Sequence, residues 1–211
     1  MVLKISEIFY SLQGEGLRAG EPSIFIRLQG CSAKYACFES GVDCDTEFES
    51  GKFITSDDIH KWIEENASEC EWIIWTGGEP TDQLTDTIVD YFKEKGYKQA
   101  LETSGIRKPP KGIDYIVLSP KVAEHVILKK WDLVEGEGRQ DGGVHCDELR
   151  WVRHKGQNVP DTNIIATNYY LSPHSDGVLL NDANLKHCIN LCLLHPIWKL
   201  SIQQHKIWNV L

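Results

Sequence analysis

Three cysteines, Cys31, Cys37 and Cys44, fall within one polar, glycine-bearing stretch, GCSAKYACFESGVDCDTEF. Three thiolates can hold three irons of a cubane cluster and leave the fourth iron open to a small ligand, whereas a structural zinc asks for a fourth protein ligand. His60, the nearest downstream histidine, lies in a predicted helix and is a poor fourth ligand. On spacing alone, a zinc site and three ordinary buried thiols stay open as alternatives. A second signal is Gly77-Gly78-Glu79-Pro80, which follows the apolar run EWIIWT. Two glycines allow a ligand close to the backbone, a carboxylate can accept from an ammonium, and proline fixes the turn. Arg27 is the third, because a guanidinium can pair with a carboxylate through two parallel donors where lysine cannot.

The elements that must position these residues read as a repeating strand, polar or glycine-rich loop, and helix. Strands are predicted over 23–29, 71–75, 98–102 and 115–118, with further ones at 148–153, 163–171 and 199–203. Helices are predicted from Thr55 or Ser56 to about 67, from 81 to 95 and from 182 to 194. Alternation of this kind argues for an α/β fold with a mostly parallel sheet and a site at the carboxyl ends of the strands. One domain over 1–211 is expected, with 123–147, which has mixed charge and no clear period, as a surface insertion.

Composition narrows the classes. Apolar residues make up 41% and charged residues 25%, which fits a chain with its own core. The formal charge of −9, with no long run of Lys or Arg, argues against a nucleic-acid partner. No stretch approaches the length of a membrane span, and the first residues lack a signal-peptide core, so no membrane partner and a cytoplasmic location are expected. Seven cysteines, an odd number, fit reduced thiols better than a disulfide framework. Cys188 and Cys192 share a helical face with Leu185 and Ile189 and read as core; Cys70 and Cys146 have no partner pattern.

Taken together, the cysteine loop and GGEP resemble the radical S-adenosylmethionine superfamily. Within it, LQGEG at 12–16, FIRLQGC at 25–31, CDT at 44–46, TGGEP at 76–80, ETSG at 102–105, SPK at 119–121 and the ending SIQQHKIWNVL are similar to the 7-carboxy-7-deazaguanine synthase family. One departure is plain: the superfamily's loop is CxxxCxxC, and here five residues and then six separate the cysteines.

The resemblance implies an incomplete (β/α) barrel, a 4Fe–4S cluster on Cys31, Cys37 and Cys44, S-adenosylmethionine, and Mg²⁺ on Thr46. Cofactor contacts would come from Asp43, Asp45, Gly77, Gly78, Glu79, Ser104, Ser119, Pro120 and Lys121, while the family's glutamine near the sixth strand, an adenosine contact, is replaced around Ser172. Substrate contacts would come from Leu12, Gln13, Gly14, Glu15, Arg27, Thr76, His205 and the terminal carboxylate of Leu211. The implied reaction converts 6-carboxy-5,6,7,8-tetrahydropterin to 7-carboxy-7-deazaguanine with loss of ammonia, in queuosine-type deazapurine synthesis. An electron donor such as flavodoxin or ferredoxin, and a homodimer, are implied too. A glycyl-radical activating enzyme, and a non-catalytic zinc or iron–sulfur module, are the competing readings.

Overall fold

A computed structural model describes residues 1–39, 50–132, 144–175 and 181–210. Its sheet has nine strands: β1 (Val2–Leu12), β2 (Pro22–Leu28), β3 (Lys52–Thr55), β4 (Trp72–Gly77), β5 (Lys98–Thr103), β6 (Tyr115–Leu118), β7 (His145–Arg153), β8 (Ile165–Pro173) and β9 (Trp198–Leu200). Their order is β3-β1-β2-β4-β5-β6-β7-β8-β9. From β2 to β9 each neighbouring pair is parallel, while β1 runs antiparallel to both β2 and β3. β3 and β9 remain as edges, so the barrel is incomplete.

Helices α1 (Lys34–Glu39), α2 (Ser56–Asn66), α3 (Asp86–Glu94), α4 (Glu124–Asp132), α5 (Asp182–Leu194) and α6 (Gln204–Trp208) complete the chain. α2 starts where expected, because the Thr55 side chain accepts from the Asp58 N–H and satisfies one of the first turn's orphan donors. The helix expected over 81–95 is divided: Pro80–Asp82 forms a single 3₁₀ turn, and α3 begins only at Asp86. The stretch 123–147 differs from the expected surface insertion. Its α4 sends Ile127 and Trp131 into the core, and β7 already begins at His145; residues 133–143 lie outside the described residues.

Alternate strand residues face opposite sides of the sheet. On the outer side, Ile24, Ile26, Ile73, Trp75 and Leu101 pack against Ile59 and Ile63 of α2 and Val89 and Phe92 of α3. Leu118, Leu149 and Leu171 do the same with Ile127 of α4 and Cys188 and Leu191 of α5. The inner side carries a small third cluster, Phe9, Phe25, Ile74 and Ala100. Most of the polar groups of the inner side, together with Leu12, Val117 and Val152, line the cavity described next. No helix of the described residues is long and apolar enough to cross a membrane.

Candidate functional site

Inward-facing residues of successive strands enclose a cavity of about 760 Å³. β1 contributes Phe9 and Leu12, β2 Phe25 and Arg27, β4 Thr76, β5 Glu102, β6 Val117, β7 Arg150 and Val152, and β8 Ser172. Its volume is that of a ligand or cofactor pocket.

One wall is made by the loops that follow the parallel strands. Cys31 and Cys37 line it beside Gly77 and Gly78; Cys44, Asp43, Asp45 and Thr46 lie outside the described residues. The two loops are locked together through backbone: the Gly78 N–H donates to the Leu28 carbonyl at 3.0 Å and the Glu79 N–H to the Gly30 carbonyl at 2.9 Å. A Cβ on Gly78 would stand 1.8 Å from the Gly30 oxygen, so only glycine permits this approach. Ser104, Ser119 and Lys121 continue the wall, with the Lys121 ammonium donating to Ser119 Oγ at 3.0 Å.

Two residues expected at the cavity are not on its lining: Pro120, which is buried, and Glu79. Glu79 is 1% exposed, and its oxygens accept from the N–H and hydroxyl of Thr81, the hydroxyl of Thr103, and the N–H and hydroxyl of Ser104. A carboxylate this deeply buried needs such donors, and the turn supplies them from the protein. It ties the GGEP turn to the end of β5.

The opposite wall is the floor. β1 runs antiparallel, with Leu12 opposite Pro22, so it delivers Gln13, Gly14 and Glu15 beside the N-terminal end of β2. Gln13 Nε2 donates to Glu102 Oε1 at 3.1 Å, and the Thr76 hydroxyl donates to Glu102 Oε2 at 3.2 Å. Arg150 Nη1 donates to Glu15 Oε2 at 2.7 Å and stands 3.8 Å from Glu102 Oε1. Burial alone would lower the Arg150 pKa, but the charges of Glu15, Glu148 and Glu102 outweigh it and hold the guanidinium above its usual value.

His205, from α6, packs so tightly on Gly14 that a Cβ there would meet its ring at 2.1 Å. Burial pushes the His205 imidazole below its usual pKa, against the pull of Glu15, which favours the neutral ring at pH 7. Arg27 stands at the rim, its side chain 38% exposed, 3.2 Å from Glu7 and over the Phe9 ring at 5.4 Å. Leu211 lies outside the described residues.

The structure therefore brings Leu12, Gln13, Gly14, Glu15, Arg27, Thr76 and His205 to the same cavity as Cys31, Cys37, Gly77, Gly78, Ser104, Ser119 and Lys121. Sequence reading missed Glu102 and Arg150. Glu102 was within reach, as the first residue of ETSG at a strand's carboxyl end, whereas Arg150 carries no motif. Cys70, Cys146 and Cys188 are buried as expected, and burial raises each thiol's pKa, leaving them unreactive packing groups.

An open, mostly parallel barrel with thiols and paired glycines at the strand ends, facing a cationic and carboxylate-lined floor, defines a cofactor-dependent α/β enzyme architecture. No family model matches the chain. It is similar to curated 7-carboxy-7-deazaguanine synthases from Bacteroides thetaiotaomicron, at 34% identity over all of both chains, and from Caulobacter vibrioides, at 32% over 98% of each. Its fold is similar to the crystal structure of QueE from Escherichia coli, with a TM-score of 0.67 and 22% identity over 97% of this chain and 95% of that one. The chain belongs to the 7-carboxy-7-deazaguanine synthase family.

Proposed function

We propose that this chain converts 6-carboxy-5,6,7,8-tetrahydropterin to 7-carboxy-7-deazaguanine with loss of ammonia, as a radical S-adenosylmethionine carbon–nitrogen lyase. The observation that carries the reading is the single cavity that joins the Cys31, Cys37 and Gly77-Gly78 wall to the Gln13, Glu15 and Glu102 floor and to Arg27 at the rim, in a chain that full-length synthases resemble.

A 4Fe–4S cluster fits the donor set, with Cys31 and Cys37 on the cavity and Cys44 as the third thiolate of the same stretch. When bound, the cluster and S-adenosylmethionine supply one-electron cleavage of the sulfonium and hydrogen abstraction from carbon. The chain's own residues bind, orient and keep water out. Arg27 pairs with the substrate carboxylate through its fork. Gln13, Glu15 and Glu102 present acceptors to the donor-rich edge of the pterin, and neutral His205 closes over them.

The stacked rings of Phe9 and Phe25, 4.9 Å apart, give an apolar wall between the two ends. Ser104, Ser119 and Lys121 take the adenosine side, with Glu79 holding Ser104 from behind. Thr46 would offer its hydroxyl to Mg²⁺, a hard cation that prefers oxygen ligands. A flavodoxin or ferredoxin as electron donor, and a homodimer, belong to the same reading.

The test is anaerobic incubation of reconstituted protein with reductant, S-adenosylmethionine and carboxytetrahydropterin, followed by mass analysis. Product lacking one ammonia is expected, and its absence from cluster-loaded protein would sink the assignment. Iron and sulfide analysis should find them lost in Cys31→Ala, Cys37→Ala and Cys44→Ala and kept in Cys188→Ala; bound zinc instead of iron would point to a non-catalytic module.

A further inference from the structure

Glu148 and Arg150 are two residues apart on β7, so both side chains point inward. They are 1% and 6% exposed as side chains. A buried ion pair is not in itself a stabilising device, since well-packed apolar residues often do as well. This pair, however, is joined on every side to the substrate floor. Arg150 Nε donates to Glu148 Oε1 at 2.9 Å, and Nη2 meets the same oxygen. That leaves Nη1 for Glu15 at 2.7 Å, with Glu102 at 3.8 Å. The second Glu148 oxygen accepts from the Leu17 N–H at 3.1 Å and the Tyr115 hydroxyl at 3.2 Å.

Glu15 is thus fixed twice from one carboxylate. Glu148 holds the guanidinium that holds the Glu15 side chain, and it also holds the backbone two residues further on. The Gly16 N–H is pinned as well, on Ser201 Oγ at 3.0 Å. Behind these groups lies a space of only about 10 Å³, lined by Arg18, Glu15, Glu102, Glu148 and Arg150 among others. That is room for about one water, so behind the guanidinium there is no solvent to screen the three carboxylates, and without it Glu15 and Glu102 would be driven apart into the main cavity.

We propose that Arg150, seated on Glu148, is the positioning residue that sets Glu15 and Glu102 as paired acceptors for the substrate's donor-rich edge. The inference rests on the proposed reaction. Arg150 acts through the two carboxylates, and it has no part in cluster or S-adenosylmethionine binding.

The experiment compares steady-state kinetics of reconstituted wild type, Arg150→Gln and Arg150→Lys, each below its own melting temperature. Arg150→Gln should raise the KM for carboxytetrahydropterin about tenfold or more, with kcat and the KM for S-adenosylmethionine within about twofold. Arg150→Lys keeps the charge without the fork and should raise that KM about threefold. In a Glu15→Gln background the lysine effect should largely vanish, since the group Arg150 positions is already altered. Should Arg150→Gln not fold, Arg150→Lys and its Glu15→Gln double variant carry the test alone.

A pterin KM that does not move in either folded variant, or a lysine effect that survives in full beside Glu15→Gln, would show that Arg150 only stabilises the fold. A wild type that makes no product would overturn the proposed reaction and this inference with it. A wild type that turns over with unmoved variants would overturn this inference alone.

Discussion

The two ends of the cavity are finished to different degrees. At the floor, Gln13, Thr76, Glu15, Glu102, Glu148 and Arg150 hydrogen-bond one another through the distances given above, so their side chains are set by the protein. At the opposite wall, Ser172 Oγ and Ser175 Oγ are buried on the cavity lining and have no hydrogen-bond partner among the described residues. A buried hydroxyl without a partner is uncommon and calls for one. The floor is organised before a ligand arrives, which cuts the ordering cost of binding. The upper wall keeps hydrogen-bonding capacity for the ligand to satisfy.

The comparison breaks most sharply at Glu148. Glu148→Ala leaves Arg150 buried with one of its three hydrogen bonds and the Leu17 N–H with none, so a loss of about 3–5 kcal/mol is expected. For a chain of this size that is a fall of about 10 °C in Tm, read by calorimetry. A fall of a degree or two would mean that the floor is far less preorganised than its contacts imply.

Gly78→Ala comes next. Its methyl group would overlap the Gly30 carbonyl, which is backbone and cannot rotate aside. A cost of about 2 kcal/mol or more is expected, together with lower iron content after reconstitution, because the GGEP turn and the Cys31 loop would be pushed apart. Full iron loading at an unchanged Tm would show that the two loops adjust independently.

Arg27→Lys tests the rim rather than the floor. The fork is lost and the charge kept, and because Arg27 is partly exposed the effect sits at the lower end for a charge-assisted pair. A pterin KM about tenfold higher, about 1.4 kcal/mol, is expected with cluster content intact. Normal pterin binding would mean that Arg27 serves Glu7 and not the substrate.

The smallest expected effect is at the upper wall. Ser172→Ala removes a hydroxyl that the described residues leave unpartnered, so Tm should hold or rise slightly, within about 0.5 kcal/mol, while the KM for S-adenosylmethionine rises about threefold. A clear loss of Tm would instead reveal a protein partner for the hydroxyl and erase the contrast between the two ends.

Much of this was legible in the sequence, and what was not has physical causes. β6 and α5 fall on the residues that the apolar pattern marks, and β2, β4 and β5 begin or end within a residue or two of it. β1 escaped because its alternation is broken: the register shifts between Ile5 and Glu7, so Leu3 and Ile5 face the outer core before the shift, and Ile8 after it. A one-residue slip moves every later side chain to the other face, which blurs a period of two. In the split 81–95 helix, Glu79 caps the start of the 3₁₀ turn, and the turn ends at Gln83, whose side chain is taken up by the Lys4 backbone and the Gln29 carbonyl.

That Cys31, Cys37, Gly77 and Gly78 share one wall was readable because the thiols and the paired glycines each follow a predicted strand at its carboxyl end. The floor was only half readable. Gln13 and Glu15 sit in a motif, while Glu148 and Arg150 look like any alternating strand residues until β7 is placed beside β6 and the turn after β1 is threaded under it.

That threading has a consequence for how the protein folds. The turn at 13–17 is fastened to residues 201–205: the Gly16 N–H to Ser201 Oγ, 185 residues away, and the Gln204 N–H to the Gly14 carbonyl at 2.9 Å. Contacts between parts so distant along the chain carry the greatest loop-closure entropy and tend to form late. The barrel strands from β2 to β8 can assemble by pairing each with a neighbour, so the wall with Cys31 and Gly77-Gly78 is available early on the folding path. The floor closes only when the last segments of the described chain return to its first turn, and a nascent chain still held at the ribosome would carry the wall at Cys31 and Gly78 without a finished floor.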